Sequence, residues 1–324
     1  MTMTHDGSNA LIPGVSAVFV GVSDPSRHRD FYCGQLGFAV SADGVVPAEQ
    51  ARSLWGVDHA VPYTVLCAAG AAHGQIVLLT VPDAADGVRP HTADVGLVGI
   101  DVYTDDIVQT HADLTAAGYA WATAPATWEV PLGDKQVTVT EGFCHAPEGT
   151  DIVFVQPDSP RGTAAWSAEP DRPYTEVTSL VCHVLDVESE VSFWGPEGLG
   201  LEVWYDVSFT SPGLEEMAGL PSGTTMRLAF LAGRRTARIE VTQVGDGGVG
   251  SDNRARQRTA RALGHSGWLV ETPDLDRALD RVRDSGGRVH AGPLDSRGGL
   301  FGTRRVAFVD TPGGIPVTIQ EHSA

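Results

Sequence analysis

The sequence predicts an α+β fold in which one small βαβββ unit occurs four times, the copies making up two domains in tandem. Three observations point there. One strand-helix text appears twice, a second strand-helix text appears twice with identical spacing, and 324 residues are too many for one small core but comfortable for two.

The first text begins at Val15, alternates like a strand to Asp24, and continues as a helix from Arg27 to Gln35 that ends at Leu36-Gly37-Phe38. It returns at Ser179 to Asp186, followed by Phe193-Trp194 and Leu199-Gly200-Leu201. Aligning Asp24 with Asp186 places Phe31-Tyr32 on Phe193-Trp194. The second text runs from Val98 to Asp106 with Leu114 and Gly118, and again from Gly267 to Asp274 with Val282 and Gly286. In its helices Ile107, His111 and Leu114 match Leu275, Leu279 and Val282 at i, i+4 and i+7, an apolar stripe that suits packing on a sheet. Gly118 and Gly286 suit left-handed caps that stop those helices. Every unit closes on an alternating strand: Gln75 to Thr80, Asp151 to Val155, Arg238 to Thr242, and Pro316 to Gln320. Two of these follow turns, Pro147-Glu148-Gly149 and Pro312-Gly313-Gly314.

These elements divide the chain into a tail (1–13), an N-terminal domain (14–156, modules 14–82 and 95–156), a linker (157–174) and a C-terminal domain (175–324, modules 175–244 and 265–321). The linker carries prolines at 157, 160, 170 and 173. Gly245 to Gly264, with Arg254, Arg256, Arg258 and Arg261, reads as a solvated loop joining the third and fourth modules.

Composition narrows the function classes. With 42% hydrophobic and 19% charged residues the chain is globular rather than disordered. No apolar run approaches the roughly 20 residues of a membrane span, and the first residues lack the basic and apolar regions of a secretory signal, so a cytoplasmic protein is expected. The four cysteines, without CxxC spacing, read as buried thiols. A net charge of -19 argues against nucleic acid and anionic membrane surfaces as partners. A small organic ligand remains, bound by a monomer or homodimer.

The aspartate before a helix carrying Phe-Tyr and Leu-Gly-Phe, the helices ending Ala-Ala-Gly or Asp-Ser-Gly, and the Pro-x-Gly turn before a final strand resemble the vicinal oxygen chelate superfamily, the fold of glyoxalases, bleomycin-resistance proteins and extradiol dioxygenases. The resemblance runs from about Pro13 to Glu321. It implies that the four modules pair into two tandem cupped-barrel domains with the site inside a cup. It also implies where metal ligands belong: seven residues before each repeat aspartate, and on each final strand. Those positions hold Ala17, Gly99, Ser179 and Gly267, then Val77, Val153, Glu240 and Thr318. Only Glu240 matches, so neither a two-histidine, one-carboxylate iron site nor a glyoxalase set can be built there. No cofactor is expected; a divalent metal on Glu240 with His183 and Glu271 is the lesser alternative.

Alternate residues of a strand share a face, so Ser179, Val181 and His183 point together, as do Gly267, Leu269 and Glu271. With the last two modules paired, His183, Glu240 and Glu271 would face one cup, His183 acting as acid/base and a carboxylate orienting it. Phe19, Asp101, Tyr103, Ser179, Trp204 and Thr318 are the expected ligand-binding residues. The expectation is a metal-independent enzyme of secondary metabolism that moves a proton on an aromatic or polyketide-like metabolite, as an isomerase, cyclase or lyase. The alternatives are a drug- or metabolite-sequestering binder and a metal-dependent dioxygenase or lyase with a nonstandard site.

Overall fold

The computed structural model describes residues 10–82, 91, 93–158, 162–233, 237–245 and 250–322. Residues 1–9 of the expected tail, Pro160 of the expected linker and residues 246–249 of the glycine-rich loop lie outside the described residues.

Module 1 comprises β1 (Val15–Val22), α1 (Pro25–Arg29, running on as a π-helical turn over Asp30–Gln35), β2 (Ala39–Val46), α2 (Ala48–Trp55), β3 (Val61–Cys67) and β4 (Gln75–Thr80). Module 2 follows with β5 (Gly96–Thr104), α3 (Ile107–Ala116), β6 (Ala120–Trp121), β7 (Ala126–Leu132), β8 (Lys135–His145) and β9 (Asp151–Pro157). After a short α4 (Ala164–Ala168), module 3 supplies β10 (Tyr174–His183), α5 (Val187–Trp194), β11 (Glu202–Phe209), α6 (Pro212–Ala218), β12 (Met226–Ala232) and β13 (Arg238–Val244). Module 4 supplies β14 (Gly264–Thr272), α7 (Leu275–Asp284), β15 (Arg288–Asp295), β16 (Arg305–Asp310) and β17 (Pro316–Glu321).

The repeat aspartate starts each module's first helix. Asp24, Asp106, Asp186 and Asp274 keep extended backbone while their carboxylates accept from the amides of Ser26, Gln109, Ser189 and Arg277. Each therefore satisfies one amide that the helix start would leave unpaired. This local chemistry is why the aspartate anchors the alignment of all four copies.

The fold class holds: α+β, with four modules paired into two cupped sheets. The partners, however, differ from the expectation that neighbours in sequence pair. One sheet has eight strands in the order β15-β16-β17-β14-β1-β4-β3-β2, joining modules 1 and 4; the other has nine, in the order β11-β12-β13-β10-β5-β9-β8-β6 with β7 on β8, joining modules 2 and 3. The reason lies in what neighbouring modules do with their outer faces. Val20, Ile100, Leu180 and Val270, from the outer faces of β1, β5, β10 and β14, belong to one core with the helices. Phe31 meets Tyr119 at 4.7 Å and Trp194 meets Trp268 at 5.9 Å across the module 1–2 and 3–4 joints. Sequence neighbours thus pack back to back, and each first-strand edge is paired by the module across the core, leaving no central edge unpaired.

Two buried carboxylates fasten these joints. His28 and Glu190 are equivalent, each four residues after its repeat aspartate, and Glu148 and Gly313 are equivalent turn positions. At the 1–2 joint Glu148 takes a left-handed φ of 54° and meets the His28 ring at 3.2 Å and the Ser23 amide at 2.8 Å. Burial opposes its charge, but the hydrogen bonds from His28 and Ser23 outweigh burial and hold its pKa at about 2. At the 3–4 joint the helix supplies the carboxylate: Glu190 accepts from the Gly313 amide, the Thr311 hydroxyl and the Trp194 indole. Any side chain at residue 313 would strike it, a Cβ there lying 2.4 Å from Glu190 Oε1.

The expected linker and loop are both packed. In the linker the amides of Ala164 and Ala165 donate to the Glu176 carboxylate of β10, at 2.9 Å each, and strap the segment down. In the loop Asn253, Gln257 and Thr259 are buried, and Gln257 exchanges hydrogen bonds with the Leu97 backbone. The loop, and not solvent, thereby pairs the backbone at the start of β5.

Candidate active site in the cup of modules 2 and 3

The two cups share a plan but not a filling. In the cup of modules 1 and 4, Phe19, Val77, Leu79, Leu269, Val306 and Phe308 form one apolar cluster with α2. Trp55, the last residue of α2, packs edge-on to Phe19 and Phe301, both at 5.9 Å, and its indole reaches Thr318 Oγ1 at 3.4 Å. This cup is plugged by its own side chains.

The cup of modules 2 and 3 encloses a cavity of about 130 Å³. A void of that order takes in one aromatic ring, and because the cup is open on one side a larger planar molecule can extend out of it. Two bulges help to build its wall. Where β5 meets β10, Val181 pairs Gly99 and Cys182 pairs Leu97, so Val98 is the unmatched residue and lines the cavity. Where β11 meets β12, Val203 pairs Leu231 and Tyr205 pairs Phe230, so Trp204 and Tyr205 both reach the cavity. Trp204 stacks on Phe230 at 4.9 Å with rings 7° apart. The β7–β8 hairpin adds Trp128, whose indole donates to Glu141 at 3.1 Å. From α6 come Leu214, Met217 and Ala218.

The floor is polar. Glu240 and Asp101 line it with Glu141 and Arg238. Burial pushes the Glu240 carboxyl well above the usual carboxylate range, and the Asp101 and Glu141 charges push it further, against the pull of Arg238. Glu240 is also hydrogen-bonded to Asp101, an arrangement that favours one shared proton on this carboxyl pair. Arg238 is fixed by neutral partners: Nε donates to Ser179 Oγ and Nη2 to the Tyr103 hydroxyl, each at 2.7 Å.

The expected trio is not brought together. Glu240 lies on the floor of this cup, but Glu271 is on β14 in the other sheet, where it pairs with Arg304 at 3.2 Å. His183 ends β10 and is fully buried, with Nε2 accepting from the Val244 amide at 3.4 Å and Nδ1 without a partner among the described residues. It is not part of the cavity lining. Burial drives its pKa down to about 4, so it is neutral at pH 7 and poorly placed for acid/base work. Its placement in the trio rested on pairing modules 3 and 4, which the strands do not do. Of the expected ligand-binding residues, Asp101 and Trp204 line the cavity, Ser179 and Tyr103 hold Arg238, and Phe19 and Thr318 belong to the plugged cup. Sequence reasoning missed Arg238, although it stands two residues before Glu240 on the same strand face. It also missed Trp128 and Glu141, which stand on β7 and β8, strands that the alignment of the repeats left out.

A metal does not suit this donor set. The ligand positions implied for this cup hold Gly99, Val153, Ser179 and Glu240, and the Ser179 hydroxyl is taken by a guanidinium whose charge would repel a cation. Among the described residues no group of three or more His, Cys, Asp and Glu is arranged to hold an ion.

The Glyoxalase/Bleomycin resistance protein/Dioxygenase superfamily model matches residues 14–154. Among solved structures, glyoxalase I from Zea mays is 14% identical with a TM-score of 0.58, over 95% of this chain and 92% of that one. A variant of the maize enzyme gives a TM-score of 0.61 at 14% identity over the same shares. A candidate dioxygenase from Bacillus subtilis gives 0.59 at 13% identity, over 96% of this chain and 86% of that one. At such identities the likeness is one of fold. No curated protein sequence matches the chain. Residues 14–154, modules 1 and 2, match the glyoxalase/bleomycin resistance protein/dioxygenase superfamily, and the chain as a whole has the four-module fold of the maize enzyme.

Proposed function

We propose that the chain is a small-molecule enzyme that moves a proton on an aromatic or polyketide-like metabolite in the cup of modules 2 and 3, without a bound metal. The carrying observation is the hydrogen-bonded Glu240–Asp101 pair at the floor of an aromatic cavity. Two carboxyls that share a proton divide into an acid and a base. Asp101, ionised, takes the proton from a carbon next to a carbonyl or phenol; Glu240 gives its proton to another position; water-mediated return of Asp101's proton to Glu240 resets the pair. The substrate loses one proton and gains one, so the outcome is a redox-neutral isomerisation or cyclisation, for which no oxidant is required. Glu240 and Asp101 replace His183 in the acid/base role.

The test is deuterium uptake from D2O into a panel of aromatic ketones and polyphenols, read by mass spectrometry. The wild type should catalyse uptake, and Glu240→Gln should slow it by about 100-fold or more while still binding the same compounds. A second reading, sequestration without turnover, draws on the cavity's mostly apolar wall and the stacked Trp204–Phe230 and Trp128–Phe209 pairs. Bound compounds recovered unexchanged and unaltered would establish that reading and overturn the enzyme.

A further inference from the structure

Arg238 opens β13 in register with Ser179, and period two puts it on the cavity side with Glu240 and Thr242. Ser179 is itself a position from which metal-using members of the superfamily are expected to draw a ligand. The guanidinium is boxed by aromatic rings, 4.6 Å from the centre of Phe230 and 5.6 Å from those of Tyr103 and Trp204. Its two hydrogen-bond partners, Ser179 and Tyr103, are uncharged, and it makes no ion pair among the described residues. Of five N–H donors two are committed, and the Nη1 edge makes no hydrogen bond among the described residues. A cation held this rigidly, without a direct ion pair among the described residues and with donors unspent, is a preorganised receptor for oxygen.

We infer that Arg238 is the electrophile of this site, taking the carbonyl or enol oxygen of a planar aromatic ligand where metal-using members would place an ion. The ligand class follows: aromatic ketones and their enols, neutral on arrival. A permanent anion would meet Asp101 and Glu141 on the same floor, whereas a ketone acquires negative charge on its oxygen only as its neighbouring carbon is deprotonated, beside Arg238. The inference rests on the cup being the ligand site, as proposed above, but concerns binding and not turnover.

The test compares 2-acetylnaphthalene with 2-isopropenylnaphthalene, the same shape with CH2 in place of the carbonyl oxygen, by quenching of tryptophan fluorescence. The wild type should bind the ketone about tenfold or more tighter, the range of a hydrogen bond to a charged donor. Arg238→Met should bring the ketone to the level of the alkene, with alkene affinity within about twofold of wild type; the alkene thereby reports the integrity of the cup. Glu240→Gln should keep the preference. Equal binding of the two probes by the wild type, or binding of neither, overturns the inference and needs no variant, and it leaves the Glu240 proposal to be judged on deuterium uptake. A preference that survives Arg238→Met but vanishes in Glu240→Gln overturns it too, by assigning the oxygen to the acid.

Discussion

The two cups begin from equivalent positions and end as opposites. Where the cup of modules 2 and 3 has Asp101, Val181, Arg238 and Glu240, the other has Leu269, Phe19, Gln75 and Val77 at the matching places. The helices over the two cups are equally matched: α2 ends on Leu54-Trp55 before Gly56, φ 68°, and α6 ends on Met217-Ala218 before Gly219, φ 64°. Trp55 fills one cup, and Ala218, its equivalent, leaves the other open. The same backbone therefore makes a core or a binding site according to a few side chains. The plugged cup supplies stability, while the open one holds desolvated carboxyls that cost it.

The largest expected effect breaks the plugged cup. Trp55→Ala removes a 5% exposed indole from contact with Phe19, Phe301 and Thr318. It should cost about 4 kcal/mol in denaturant unfolding, and added indole should restore part of that by filling the void. A smaller effect, of opposite sign, sharpens the contrast. Because Glu240 has a raised pKa, the folded state holds a proton that the unfolded state releases. Its stabilising influence is complete below the ordinary glutamate pKa and is lost as pH rises through the folded value. Thermal melts should therefore show Glu240→Gln gaining on the wild type between pH 5 and pH 8, a stabilised protein that has lost its acid. No gain with pH would mean that the carboxyl is ionised in the folded state.

Local features of this fold were legible in the sequence, and long-range ones were not. The aspartate caps, the glycine stops and the final strands are encoded within a few residues of each other, so all four copies could be aligned. Which first strands pair was hidden, because β1 joins β14 some 250 residues away and their edges offer the same backbone groups as those of β5 and β10. At the site, period two picked out Asp101, Tyr103, Ser179 and Glu240 correctly as residues in or bordering a cup. It failed for His183 and Glu271, because the face was right only within a strand while the trio needed the wrong strand pairing. Trp128 and Glu141 arrive on the β7–β8 hairpin, whose counterparts β2–β3 and β11–β12 share its pairing but no sequence text by which to align it.

A ligand in the open cup depends on Ala218 keeping that cup open. Isothermal titration of 2-acetylnaphthalene into Ala218→Trp tests this most directly, since the substitution copies into one cup the residue that closes the other. Affinity at least tenfold below wild type, with a thermal midpoint within a few degrees of it, is the predicted result. Undiminished binding by a folded Ala218→Trp protein would place the ligand outside this cup and remove Asp101, Arg238 and Glu240 from any role in holding it.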